Sequence, residues 1–90
     1  MRRNVYQIVW HNEASKYFSK IADPKIKEYI IEVLNNVIAQ DPFVGKPLLG
    51  AYKGVRSYRI GVIRILYSFY KDKLIVVVLS IGHRKNIYKI

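Results

Sequence analysis

The residues best equipped for chemistry in this 90-residue chain lie in its second half. Arg56, Arg59 and Arg64 fall within nine residues of the segment GVRSYRIGVIRILY, and the closing IGHRKNIYKI adds His83, Arg84, Lys85, Tyr88 and Lys89. Guanidinium groups match phosphate oxygens in a two-pronged geometry, and aromatic rings interleaved with cations give bases something to stack on. Arg64 stands out because it interrupts a β-rich apolar run. A guanidinium buried there without a partner would be costly, so the position calls for a ligand or a carboxylate against it. The plainer alternative is a solvated or acid-paired arginine on an open sheet face.

The charge distribution points the same way. Residues 1–45 hold six Lys/Arg and five Asp/Glu, a net +1, whereas residues 46–90 hold ten Lys/Arg against Asp72 alone, a net +9. So lopsided a charge favours attraction to a polyanion over mere solubility. Several enzyme classes are disfavoured. The chain has no cysteine, no His/Cys ligand cluster, no carboxylate pair in the basic half, no GxSxG and no glycine-rich loop leading into a helix, so no cofactor and no metal are expected. What stays open is phosphodiester cleavage by the 2′-hydroxyl of RNA itself. There a protein needs only to align the attack, move protons and stabilise extra charge on phosphorus.

These residues need a scaffold, and its pattern is readable. Asn4 to Trp10 alternates Val5, Gln7 and Val9 with Tyr6, Ile8 and Trp10, as expected for a largely buried strand. Asn12 is placed to cap a short helix whose stripe is Ala14, Tyr17, Phe18 and Ile21. Asp23-Pro24 opens a second helix carrying Ile26, Ile30, Val33, Leu34, Val37 and Ile38 to about Gln40. Residues 41–47 (DPFVGKP) read as a loop, and Leu48 to Ala51 as the start of a strand or an irregular stretch. Val55 to Ile60, Ile63 to Tyr70 and Leu74 to Ile81 read as three strands of an antiparallel meander, turned at Gly61-Val62 and at Lys71-Asp72-Lys73. The expected architecture is a single α+β domain over residues 1–90, β-α-α-β-β-β. Its helical hairpin packs on one face of a small, mostly antiparallel sheet, and the other face is free for the charges. On β4-type alternation Ile63, Ile65, Tyr67 and Phe69 form the core side, and Arg64, Leu66, Ser68 and Tyr70 the open side.

Taken in order and spacing, Arg59-Ile60-Gly61, the strand Arg64-Ile65-Leu66-Tyr67 and the end Gly82-His83-Arg84-Lys85-Asn86-Ile87-Tyr88 resemble the RelE/ParE toxin superfamily, and more closely its RelE branch. The resemblance covers nearly the whole chain. It implies a toxin of a type II toxin–antitoxin system, a ribosome-dependent endoribonuclease (mRNA interferase) that cleaves mRNA in the A site by metal-independent 2′-hydroxyl attack. In that role Arg64 would stabilise charge on the scissile phosphate, and Arg84 would contact it and protonate the leaving 5′-oxygen. Tyr88 would stack on or orient the displaced nucleotide, and Lys53, Arg56 and Arg59, with Lys85 of the basic tail, would grip the RNA. No residue declares itself as general base. His83, Lys53 and Tyr88 are the choices, and His83 suits the task by its ordinary pKa.

The partners implied are a cognate antitoxin, in a complex of heterotetrameric type, together with ribosome and mRNA. Tyr29 and Ile31 are apolar surface positions suited to an antitoxin contact or to an ordinary surface. Two other functions fit the same family and charge: a ParE-like inhibitor of DNA gyrase, and a non-catalytic RNA- or ribosome-binding module. Val5 to Trp10 is too short and polar for a signal segment and Leu74 to Leu79 too short to cross a bilayer, so the expected place is the cytoplasm, away from membranes.

Overall fold

A computed structural model of the chain describes residues 5–83. The order is β1 (Gln7–Trp10), α1 (Asn12–Ser19), α2 (Pro24–Val33), β2 (Lys46–Pro47), β3 (Arg56–Ile60), β4 (Ile63–Tyr70) and β5 (Ile75–His83). The five strands make one sheet in the order β1-β5-β4-β3-β2, with β1 parallel to β5 and every other pair antiparallel. Both helices pack on one face of it. Ala14, Ile30, Val33, Leu34 and Ile38 from the helical side meet Ile65, Tyr67, Val76, Val78 and Ile81 from the sheet in a single core. Each fully buried aliphatic side chain there contributes about 1.5–3 kcal/mol.

The expected β-α-α-β-β-β plan is therefore present, with differences of local cause. β1 is an edge strand, and Gln7 and Val9 face outward while Ile8 and Trp10 are half-buried, so it is not the largely buried strand expected. The first helix is capped by His11 rather than Asn12. The His11 Nδ1 accepts from the Glu13 N–H at 3.2 Å, and Asn12 is the first helical residue. Asp23 caps α2 as its position predicts, accepting from the Lys25 N–H at 2.9 Å, but Ile26 is solvent-exposed.

Beyond Val33 the helix widens into a π turn over Leu34–Ile38, with the Ala39 N–H donating to the Leu34 carbonyl at 2.8 Å. The Ala39 carbonyl, left without a helical partner at the chain's exit, accepts from the Tyr6 N–H at 2.9 Å and so ties the helix end to the approach to β1. The 41–47 segment is more ordered than a loop: Pro42–Val44 is a 3-10 turn capped by Asp41, and Lys46–Pro47 pairs with β3. Gly50–Tyr52 forms a second such turn.

The meander turns where expected. Gly61, at φ 60°, opens the two-residue hairpin between Ile60 and Ile63, a conformation that a β-carbon disfavours. Leu74 adopts φ 54°, the left-handed region, so it closes the turn and β5 begins one residue later than its β-branched pattern suggests. Opposite the Leu66–Tyr67 step β5 carries a bulge at Leu79, which re-phases the strand: Val76 and Val78 face the helices before it and Ile81 after it.

Candidate nucleic-acid interface

Strand alternation directs Ile63, Ile65, Tyr67 and Phe69 toward the helices and Arg64, Leu66 and Ser68 to the open side of the sheet. Cross-strand register then assembles two rows on that open side. Arg59, Arg64 and Gly82 lie abreast across β3, β4 and β5, and Lys46, Ser57, Leu66 and Ser80 make up the neighbouring row. The hairpin turn at Gly61 sets the first row, because Ile60 pairs with Ile63 and so Arg59 must pair with Arg64.

Arg64 is half-buried and its Nη1 donates to the Ser57 Oγ at 3.1 Å, a diagonal contact between β4 and β3. Ser57 is itself buried. The hydroxyl thus holds the head of a side chain that would otherwise sample many rotamers. On one flank Gly82 adds no side chain, and on the other stands exposed Arg59, whose Nε donates to the Gly61 carbonyl at 3.2 Å. Two cations directly opposite one another destabilise a sheet. The pair suits an anion seated between them, and a phosphate oxygen bridging two guanidiniums is the natural occupant.

Other expected site residues are not on this face. Arg56 pairs with Tyr67, so it points to the helix-bearing side, contrary to its grouping with Arg59. Its Nη1 donates to the carbonyls of Gly45 at 2.7 Å and Phe43 at 3.1 Å, and the guanidinium lies 5.2 Å from the Phe43 ring centre and 5.7 Å from that of Phe69. Lys53 is exposed just after the Gly50–Tyr52 turn and lines a cleft with Arg56 and Phe69. His83 pairs with Ile63, which sends it to the side opposite Arg64. Arg84, Lys85 and Tyr88 lie outside the described residues. Ser57 and Lys46 are the residues of the open face that composition did not single out. Only register brings them there, since a serine and a lysine have no charge run or motif to mark them. Among the described residues no three His, Cys, Asp or Glu side chains converge as a metal site.

A buried polar hub fixes the far end of the site's scaffold. The Tyr67 hydroxyl donates to the Pro42 carbonyl at 2.7 Å and accepts from the Gly45 N–H at 2.9 Å. Burial pushes the Tyr67 phenol above its ordinary value, and the Gly45 N–H and the Arg56 charge pull it partly back. Because the folded chain holds this proton more tightly than the unfolded chain does, the hub's contribution is complete below about pH 10, the phenol's unfolded value, and is lost as pH rises toward the folded value. Thermal melts across the alkaline range should therefore show a steeper loss of stability for the native chain than for Tyr67→Phe. Equal slopes would remove Tyr67 as the alkaline-labile group.

Comparison with known proteins agrees with this architecture. The family model described as the ParE toxin of the type II toxin–antitoxin system parDE matches residues 8–88. Toxin RelG of Mycobacterium tuberculosis is 34% identical over 67 residues, which is 73% of this chain and 77% of that protein. The toxin–antitoxin complex RelBE2 of the same organism contains a chain of similar structure, with TM-score 0.83, 28% identity, and 92% of this chain and 95% of that one covered. The intact RelBE toxin–antitoxin complex of E. coli shares the fold, with TM-score 0.72 at 20% identity over 87% of this chain and 95% of that one. The rows of basic and hydroxyl side chains on the open sheet face are thus carried by a chain that belongs to the RelE/ParE superfamily, as a toxin of the type II toxin–antitoxin class.

Proposed function

We propose that this toxin is a ribosome-dependent endoribonuclease that cleaves mRNA in the A site by attack of the RNA's own 2′-hydroxyl. The observation that carries the reading is Arg64, held by Ser57 on the open sheet face with Arg59 directly opposite. In the reaction the 2′-oxygen bonds to phosphorus as its proton leaves, the 5′-oxygen departs and takes up a proton, and the products are a 2′,3′-cyclic phosphate and a 5′-hydroxyl. Charge on the equatorial oxygens grows most at the transition state, where a guanidinium already oriented and partly desolvated stabilises it without reorganising. By resemblance to the RelE branch, Arg84 contacts the phosphate and supplies the proton to the leaving oxygen, while Tyr88 orients the displaced nucleotide and Lys85 adds to the grip. His83 and Lys53 both lie away from the Arg64 face, which leaves Tyr88 as the base in this reading.

The partners follow from the same family. A cognate antitoxin would silence the toxin, as the toxin–antitoxin complexes of the structural relatives suggest, and a cytoplasmic encounter with ribosome and mRNA would provide the substrate. The experiment is to incubate the purified chain with programmed ribosomes and map mRNA ends for the native protein, Arg64→Ala and Arg84→Ala. Cuts at the A site lost in both variants are expected. Absence of cuts by the native chain would overturn the proposal.

A second reading has one observation in its favour, because the matching family model is that of ParE. A gyrase inhibitor would leave mRNA intact and block DNA supercoiling instead, so a supercoiling assay on the same preparation separates the two.

A further inference from the structure

Arg56 does not join the open face, and what it joins instead is a second cationic and aromatic cluster on the opposite side of the sheet. There the helical hairpin leaves the β2–β3 corner uncovered, and a cleft of about 360 Å³ opens, lined among others by Pro47, Lys53, Arg56 and Phe69. That volume falls within the usual range for small-molecule sites. Its chemistry is specific: one aromatic wall from Phe69, one fixed guanidinium from Arg56, and one exposed ammonium from Lys53.

The guanidinium is pre-organised. Its hydrogen bonds to the Gly45 and Phe43 carbonyls both run through Nη1, so among the described residues Nη2 and Nε are left for a further acceptor. Phe43 and Phe69 meet edge to face at 4.9 Å and flank the same group, and Lys71 stands 5.9 Å from the Phe43 ring centre, adding positive charge nearby. A cation fixed in this way loses little conformational freedom on binding. A flat aromatic ligand bearing a phosphate fits all three elements, with the base against Phe69 and the phosphate between Arg56 and Lys53.

We propose that this cleft is a second nucleic-acid subsite, on the helix-bearing face, that takes one nucleotide of an RNA strand other than the one cut at Arg64. It shares with the proposed function only the premise that RNA is the ligand, and it requires no cleavage. The chain would then grip RNA on both faces of one sheet, which accounts for basic residues placed on both sides of the strands.

The test is a titration of the full chain in its Arg64→Ala form, which weakens the open face, with adenosine 5′-monophosphate and with a short oligoadenylate RNA, followed by backbone amide shifts. Shifts centred on residues 53–56 and 69 are expected. Phe69→Leu, which keeps an apolar side chain, should weaken oligoadenylate binding by roughly fivefold or more, the lower end of what stacking one base on an aromatic ring contributes. Lys53→Gln, an exposed change without a folding role, should lower affinity and reduce the salt dependence by about one phosphate contact. Shifts confined to the open face, or unchanged affinity in both variants, would overturn the subsite even if the native protein cuts mRNA. Conversely, binding at the cleft by a chain that cuts no mRNA would leave the subsite standing and remove the nuclease.

Discussion

Arg64→Ala should lower the rate of mRNA cleavage on programmed ribosomes by roughly 10²–10³-fold, the range seen when one preorganised donor to a developing oxyanion is removed. Its melting temperature should barely move, because loss of the side chain's packing is offset by relief of the repulsion with Arg59 across the β3–β4 pair. Arg64→Lys should recover only part of the rate. Lysine keeps the charge but not the planar fork that can hold Ser57 and a phosphate together. Ser57→Ala tests the positioning directly: the rate under saturating conditions should fall several-fold while apparent affinity for the ribosome stays, and Ser57→Thr should restore it. If Ser57→Ala cuts at the native rate, the hydroxyl only packs between strands, and the claim that it orients Arg64 is lost.

How much of this was legible beforehand depends on the kind of signal involved. Helical stripes and the three-strand meander follow from local periodicity, and they are where residues 12–19, 24–33, 56–60, 63–70 and 75–83 place them. Arg64 on the open face is likewise an alternation result, since Ile65 and Tyr67 beside it are core. Pairing between strands is not local. Ser57 reaches Arg64 only because a two-residue turn at Gly61-Val62 fixes which β3 residues lie opposite β4.

The separation of Arg56 from Arg59 was legible in principle, since residues three apart on one strand face opposite ways. A basic cluster in sequence was read as a cluster in space, and the pleat divides it. The bulge at Leu79, the π turn after Val33 and the left-handed Leu74 carry no mark in composition: each is a choice of tertiary packing over local preference, and Leu74 in particular is held in a conformation unfavourable to a branched side chain.

Gly45→Ala should destabilise the fold by about 1–3 kcal/mol from overpacking alone, and more once the hydrogen bonds it disturbs are counted. The glycine is not there for its backbone, which sits at an ordinary φ of −73°. It is there for closeness: a β-carbon at this position would collide with the Tyr67 hydroxyl and lie 3.0 Å from two ring carbons. The ring cannot swing away, because Tyr67 is fully buried and its hydroxyl is already committed to Pro42 and Gly45. For a domain of this size each kcal/mol lowers the melting temperature by about 4–8 °C, so the loss is readily seen by calorimetry. Tyr67→Phe alone should also destabilise, by about 1–3 kcal/mol, since it strips the Gly45 N–H and the Pro42 carbonyl of their partner. Combined, the two changes should cost less than their sum, because phenylalanine removes the atom with which the new methyl collides most severely. Strict additivity would mean the close approach is not what excludes a side chain at Gly45. The same glycine carbonyl holds Arg56, so Gly45→Ala should weaken oligoadenylate binding at the helix-side cleft while cleavage governed by Arg64 persists at temperatures where the variant stays folded. That difference ties one buried contact to one face of the sheet and leaves the other untouched.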